Sequence, residues 1–300
     1  MERVKGIVMI VFGGMLWGAT GPMLEWILAN SEMSIPFMLS IRLLFAGILI
    51  LVVLKMRGQR ITLPFQQQVW ARQLVIFGML GMLGVQYSFI ASIDTSNAVI
   101  ATLFQFLAPI YIIVFVSLRQ KARPPIAQVV GMVVTIAGLF LLLTNGSLSD
   151  FALSKEALFW GAVVGFTFAF YTLYPARLMQ EWGVLLVVGW GMLVGGVALL
   201  VLNIVTFFKE LHYLLEWKIT VMLVLVIVVG TVAFVLFLGS MKYISPVETS
   251  VLSSFEPLTA MVISILWFGQ VLGMWQTAGA IIMLAGVTGI SVAGGKAKER

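Results

Sequence analysis

The chain has no cysteine, a single histidine in 300 residues, and only 10% charged side chains. Each shortage excludes a class of chemistry. Without cysteine there is no disulfide, no thiolate zinc site and no thiol nucleophile. His212 lies in a polar stretch among Lys209, Glu210 and Glu216. No His-Glu-x-x-His pair, carboxylate cluster or glycine-rich phosphate loop accompanies it. It reads as a solvated loop residue, which leaves an intramembrane enzyme without residues to carry its reaction. No cofactor or metal is expected. The shortage of charge says most about class. A soluble domain carries about a quarter charged residues. A chain that is 61% hydrophobic, with a mean hydropathy of +1.09, has more apolar surface than water tolerates. The expected class is an all-α polytopic membrane protein.

What the chain has in abundance is long apolar runs. A hydrocarbon layer of about 30 Å needs roughly 20 helical residues. Ten segments meet that length, near 6–28, 35–54, 74–92, 97–118, 126–143, 157–178, 184–208, 219–241, 246–268 and 274–293. The runs are continuous and do not alternate with period two, which argues against a β-barrel. The first run is longer than the apolar part of a signal peptide, about 7–15 residues. It carries Trp17 inside it and ends without a small-x-small cleavage site, so it reads as the first span.

The net charge of +6 would suit nucleic acid if the cations formed one face. They sit instead in short runs between spans, the membrane pattern, so no nucleic-acid partner is expected. With the N-terminus inside, 14 of the 18 cations fall on inner segments, from Arg3 and Lys5 to Lys296, Lys298 and Arg300. Only Lys155, Lys209 and Lys218 fall outside, and Arg42 lies within a span. This bias predicts a multi-pass protein with cytoplasmic N- and C-termini and an even number of spans. A bacterial cytoplasmic (inner) membrane, the expected location, is compatible with the lack of cysteine.

The chain also repeats itself. A shift of 148 residues aligns Gln128, Gly131, Ala137 and Gly138 with Gln276, Gly279, Ala285 and Gly286. The same shift aligns Phe89 and Ser92 with Phe237 and Ser240, Pro109 with Pro257, Gly47 with Gly195, and Gly13 with Gly161. Residues 1–148 and 149–300 then form two five-helix repeats. Five is odd, so the second enters the membrane in the opposite sense, an inverted-topology repeat. Gly14-x-x-x-Gly18, Gly161-x-x-x-Gly165 and Gly191-x-x-x-Gly195 read as helix-packing positions.

Ionisable groups at membrane depth cost roughly 2.5–3.5 kcal/mol on insertion scales. Arg42 and Glu256 are the two that stand out. Arg42 either snorkels or binds carbonyls at a neighbouring helix end, or it receives an anionic substrate group or pairs with Glu256 or Asp94. Glu256 is too short to snorkel from mid-depth; it reads as a cation or proton site, or as half of a structural ion pair. Polar stripes join them: Thr249, Ser253 and Glu256 share one face, with Gln105 equivalent to Ser253 in the first half. Thr167, Tyr171 and Tyr174 form another stripe, while Trp17 with Thr20 and Gln86 with Tyr87 add polar atoms elsewhere. Each hydroxyl alone could simply bond within its own helix. Their convergence points to a central polar cavity. Pro109 and Pro257 remove backbone donors at corresponding positions and predict helix kinks beside it.

At these residues the chain resembles the EamA-type members of the drug/metabolite transporter superfamily, which have two five-helix repeats. The resemblance rests on Leu16-Trp17-Gly18, Ile41-Arg42-Leu43, Ala108-Pro109, Phe255-Glu256-Pro257-Leu258, Gly279 and Ala285-Gly286. Two sites depart from the family's glycine-glutamate pair: Gly269-Gln270 in the second half and Leu118-Arg119-Gln120 in the first. The resemblance implies a secondary transporter that exports amino acids, related metabolites or drugs. Together with the residues, it predicts a small-molecule substrate held by Trp17, Thr20, Arg42, Gln86, Tyr87, Gln105, Tyr171, Ser253 and Glu256. Protons are the candidate coupling ion, through Glu256. An uncoupled facilitator or channel is the alternative. A retinal-type receptor would need a lysine within the tenth span, which has none.

Overall fold

The computed structural model describes residues 2–96, 98–147, 154–268 and 273–298, and every regular element among them is helical. The passes are α1 (Glu2–Asn30), α2 (Ile35–Met56), α3 (68–95), α4 in two pieces (Ala98–Gln105 and Ala108–Gln120) and α5 (Ile126–Thr144). After residue 153 come α6 (Lys155–Trp182), α7 (Val184–Leu202), α8 (Trp217–Ser240), α9 in two pieces (Pro246–Leu252 and Phe255–Phe268) and α10 (Met274–Lys298). The first eight are long and apolar enough to cross a membrane. The break in α9 divides its apolar run, and the apolar part of α10, Met274–Gly289, is shorter. The protein is a polytopic helical membrane protein. The expected junction at residue 148 and the Gly269-Gln270 position lie outside the described residues.

Serine starts several helices where the chain turns back into the bundle. Ser34 Oγ accepts from Phe37 N–H at 3.4 Å, and Ser154 Oγ accepts from Ala157 N–H at 3.1 Å. Such caps occupy backbone donors that the first helical turn cannot satisfy itself. Several expected span boundaries need correction. α1 begins at Glu2, well before residue 6. α3 begins at Gln68 instead of 74, and Phe77–Leu83 winds as a π-helix inside it. α7 stops at Leu202 instead of 208, because Asn203 leaves the helical region and bonds Leu199 O through Nδ2 at 3.1 Å. A separate short helix, Ile204–Glu210, then carries Phe207 back against Phe37 at 5.2 Å.

The two halves exchange their contacts. α1 packs on α8 and α9 as α6 packs on α3 and α4, and α7 meets α3 as α2 meets α8. α2 pairs with α7, and α5 with α10. Glycines set the last pairing. A Cβ on Gly279 would lie 2.6 Å from Gly138 O, and one on Gly286 would lie 2.9 Å from Gly131 O. The shift of 148 turns one of these pairs into the other. The contact order is antiparallel, since the lower number in α5 faces the higher in α10. Two antiparallel helices can be equivalent only about an axis perpendicular to both. That axis lies in the membrane plane, so the repeats have inverted topology. Close backbone approach through glycine is how such helices gain van der Waals contact in lipid.

Candidate functional site

The site is built where α4 and α9 break. Pro109 and Pro257 stand at the start of each second piece, and the interruptions fall just before them, at 106–107 and 253–254. A proline lacks the donor for its i−4 carbonyl and clashes with it, so the helix must restart. The breaks are stitched by shorter bonds instead: Leu107 N–H donates to Phe104 O at 3.0 Å, and Glu256 N–H donates to Ser253 O at 2.9 Å. Each break is clasped by a glycine-bearing helix of the other half. Gly14 of α1 lies against Ser253 O and Glu256 N, and Gly18 against Glu256 O, Thr259 and Ala260. Gly161 and Gly165 of α6 lie against Phe104 and Leu107 in the same manner.

A packed aromatic cluster lies beside α1. Trp17 meets Phe234 edge-on at 4.8 Å, Phe237 at 5.1 Å and Phe168 at 6.4 Å. Tyr171 meets Phe237 at 5.5 Å, Phe234 at 5.7 Å and Phe77 at 6.1 Å. Tyr171 is fully buried, and its hydroxyl has no hydrogen-bond partner among the described residues. Arg42 reaches the same cluster from α2. Its guanidinium carbon lies 5.7 Å from the Phe234 ring centre, within cation–π range. Nη2 occupies the notch left by Gly230, 2.6 Å from where a Cβ would stand.

Arg42 and Glu256 interact electrostatically across the site. They form no ion pair within 4.0 Å, and neither side chain makes a hydrogen bond among the described residues. Glu256 Oε2 is buried without a partner. Two opposite charges at membrane depth, neither with a hydrogen bond or close ion pair among the described residues, are costly unless a ligand or ion completes them. Snorkelling does not describe Arg42, whose head lies against α8.

The remaining expected residues divide. Gln105 is buried at the α4 break. Gln86 is buried; Nε2 donates to Met82 O at 3.0 Å, and Oε1 has no partner among the described residues. Thr20 and Ser253 donate to their own helices, at Trp17 O (2.7 Å) and Ser250 O (2.8 Å), so each offers a ligand only an acceptor. Tyr87 is 43% exposed and meets Trp160 at 6.1 Å, away from the cluster. The stripe on α6 also splits: Thr167 pairs with Ser88 at 2.8 Å, and Tyr174 stacks on Phe170 at 4.5 Å. The Asp94 side chain lies outside the described residues. Phe77, Phe168, Phe234 and Phe237 were not among the expected site residues, since an apolar ring on an apolar helix carries no signal of its own. Among the described residues no group of three His, Cys, Asp or Glu could hold a metal.

Residues 4–144 and 155–292 each match the EamA-like transporter family. The chain belongs to that family. It thereby falls within the drug/metabolite transporter superfamily, and the protein is a transporter by kinship. It is 34% identical over 290 residues to the "Uncharacterized inner membrane transporter YicL" of Salmonella typhimurium, covering 96% of this chain and 95% of that one. An "Uncharacterized transporter" of Archaeoglobus fulgidus is 26% identical over 200 residues, covering 67% of this chain and 69% of its own. One protein crystal structure superimposes with a TM-score of 0.74 at 17% identity over 98% of both chains, which shows the shared fold. Kinship and apolar helices together make this transporter a multi-pass inner-membrane protein.

Proposed function

We propose that the protein is an alternating-access secondary transporter exporting a small zwitterionic metabolite, such as an amino acid or derivative. Its termini lie in the cytoplasm, as the excess of basic residues in the loops on that side requires. One observation carries the reading: Arg42 and Glu256 present opposite charges with no hydrogen bond or close ion pair among the described residues, beside an aromatic cluster and at the break in α9. A carboxylate on the substrate would meet the planar donors of Arg42. An amine would meet Glu256, and apolar or aromatic parts would lie over Trp17 and Phe234. Gln105 and Gln86 supply further hydrogen-bonding atoms. The inverted repeat supplies the mechanism, because rocking one half against the other exposes a central site to either face.

Protons are the proposed coupling ion, with Glu256 as their carrier: a carboxylate that exchanges a proton for the substrate amine links the two flows. Counterflow in proteoliposomes tests the whole reading. A panel of amino acids and related metabolites is run with and without an imposed pH gradient. Saturable counterflow of a zwitterion, accelerated by the gradient and uncoupled from it in Glu256→Gln, is expected. Flux that does not saturate sinks the carrier reading. Transport and pH dependence unchanged in Glu256→Gln sink the coupling role.

A further inference from the structure

We propose that Arg3 and Glu248 form a latch that holds the transporter closed on the face carrying its N-terminus. The proposal rests on the alternating-access reading above and adds a device that biases it. Arg3 Nη2 lies 2.7 Å from Glu248 Oε1, joining the first turn of α1 to the first turn of α9. Glu248 is held in place independently of Arg3. Its Oε2 accepts from Ser245 N–H and Ser245 Oγ, both at 3.1 Å, while Glu248 N–H donates to Ser245 Oγ at 3.2 Å. This reciprocal capping box fixes the carboxylate as one half of the catch. A second contact backs it: Lys5 Nζ lies 4.9 Å from the centre of the Tyr243 ring.

The packing along α1 shows which end is closed. Gly6 lies against Tyr243 and Ile244, Gly13 against Ala233 and Leu236, and Gly14 and Gly18 against the α9 break. Gly14, Gly18 and Gly21 fall on one stripe of the helix, at i, i+4 and i+7. A Cβ on Gly21 nevertheless meets nothing within 4 Å among the described residues. The face of α1 that is zipped to α9 as far as Gly18 is therefore open beyond it. Towards the latch, Ser240 Oγ and Thr249 Oγ1 close the α8–α9 corner at 3.1 Å.

In the sequence, the corresponding positions of the other repeat carry no equivalent charges. The shift of 148 residues places Phe151 at the position of Arg3 and Ile100 at that of Glu248. It places Leu153 at the position of Lys5 and Thr95 at that of Tyr243. Two repeats that alternate about a pseudo-two-fold would be balanced if their gates were alike. An ion pair that one gate carries at positions where the sequence of the other repeat has no charge tilts the equilibrium towards the state in which that gate is shut. Cargo arriving from the latched face must then open it.

The absence of cysteine makes the test direct. Ser254 is fully buried at the α9 break, and Ser254→Cys reports access from the latched face to a membrane-impermeant maleimide in inside-out vesicles. Gly21→Cys reports the other face in right-side-out vesicles. Arg3→Gln or Glu248→Gln is expected to speed Ser254→Cys labelling about fivefold, the shift a partly exposed ion pair sustains, and to slow Gly21→Cys labelling. Glu248→Gln keeps an acceptor for Ser245, so the start of α9 survives. Arg3→Lys should label as the parent does. The double variant should match either single one, because the two residues act as a unit. Unchanged labelling in both single variants, or additive effects in the double, overturns the latch. Labelling needs no substrate. If no metabolite shows counterflow while the labelling response holds, the transport reading falls and the latch stands.

Discussion

The guanidinium carbon of Arg42 lies 5.7 Å from the centre of the Phe234 ring, and Gly230, one turn earlier on α8, is what lets it come so close. The same ring meets Trp17 at 4.8 Å and Tyr171 at 5.7 Å. One phenylalanine thus ties the cation to the aromatic cluster of three other helices. A cation–π contact of this kind is worth about 0.5–2 kcal/mol, more when water is excluded. It orients the charge without neutralising it, and so leaves the guanidinium donors available to a ligand.

Gly230→Ala should therefore damage transport more than stability. The added methyl would meet the far end of a flexible side chain, which can move away without shifting any backbone. The melting temperature is expected to change by little. Substrate KM should rise by about tenfold, the equivalent of about 1.4 kcal/mol of lost orientation. A large fall in melting temperature with unchanged KM would show that Gly230 packs the helix and does not seat Arg42.

Gly18→Ala should do the reverse. Its Cβ would strike Glu256 O and crowd Ala260 N at 3.0 Å, and backbone cannot step aside. Overpacking of this kind costs about 1–3 kcal/mol, and α1 would have to part from α9. Gly21→Ala on the same stripe meets nothing among the described residues and should melt as the parent does. Thermal unfolding in detergent, followed by size-exclusion recovery, compares the two. Equal effects would remove the case for α1 and α9 diverging between these residues.

The pattern of these contacts explains what could be read from residues alone. Spans follow from bilayer thickness, and the inverted repeat from one offset joining Gly131 to Gly279 and Pro109 to Pro257; both are long-range regularities that survive local irregularity. The π-helical stretch at Phe77–Leu83 is not such a regularity. It arises where Gly78 lets α3 press against Val194 and Gly191, a tertiary fit invisible in the run itself. Arg42 and Glu256 were legible because charge is rare at membrane depth. Helical spacing grouped Thr167 and Tyr174 with Tyr171, yet the chain turns at Tyr174–Pro175, and Ser88 takes the Thr167 hydroxyl. Tyr87 adjoins Gln86 in sequence, but consecutive helical positions point about 100° apart, and the two residues face different surroundings.

Trp17 is buried in the cluster, with three ring contacts across α6 and α8. Trp17→Ala should lower stability by about 3–5 kcal/mol, as large-to-small core changes do. Trp17→Phe should recover most of that loss, since a smaller ring still meets Phe234 and Phe237. Thermal melting of both variants checks the ordering. Equal melting temperatures would mean that the indole fills no more space than alanine needs.

Tyr171 offers the sharpest separation of packing from binding. Its ring is fully buried among Phe77, Phe168, Phe234 and Phe237, while its hydroxyl has no partner among the described residues. A buried polar group left unsatisfied costs about 1–3 kcal/mol. Tyr171→Phe deletes that group and keeps the ring, so the melting temperature should hold or rise. If the hydroxyl bonds substrate during the cycle, the same change should raise KM several-fold while stability improves. A gain in stability with unaltered KM would assign Tyr171 to packing alone. A loss of stability would mean that the hydroxyl has a partner in the resting state, and would withdraw it from the set of groups available to a ligand.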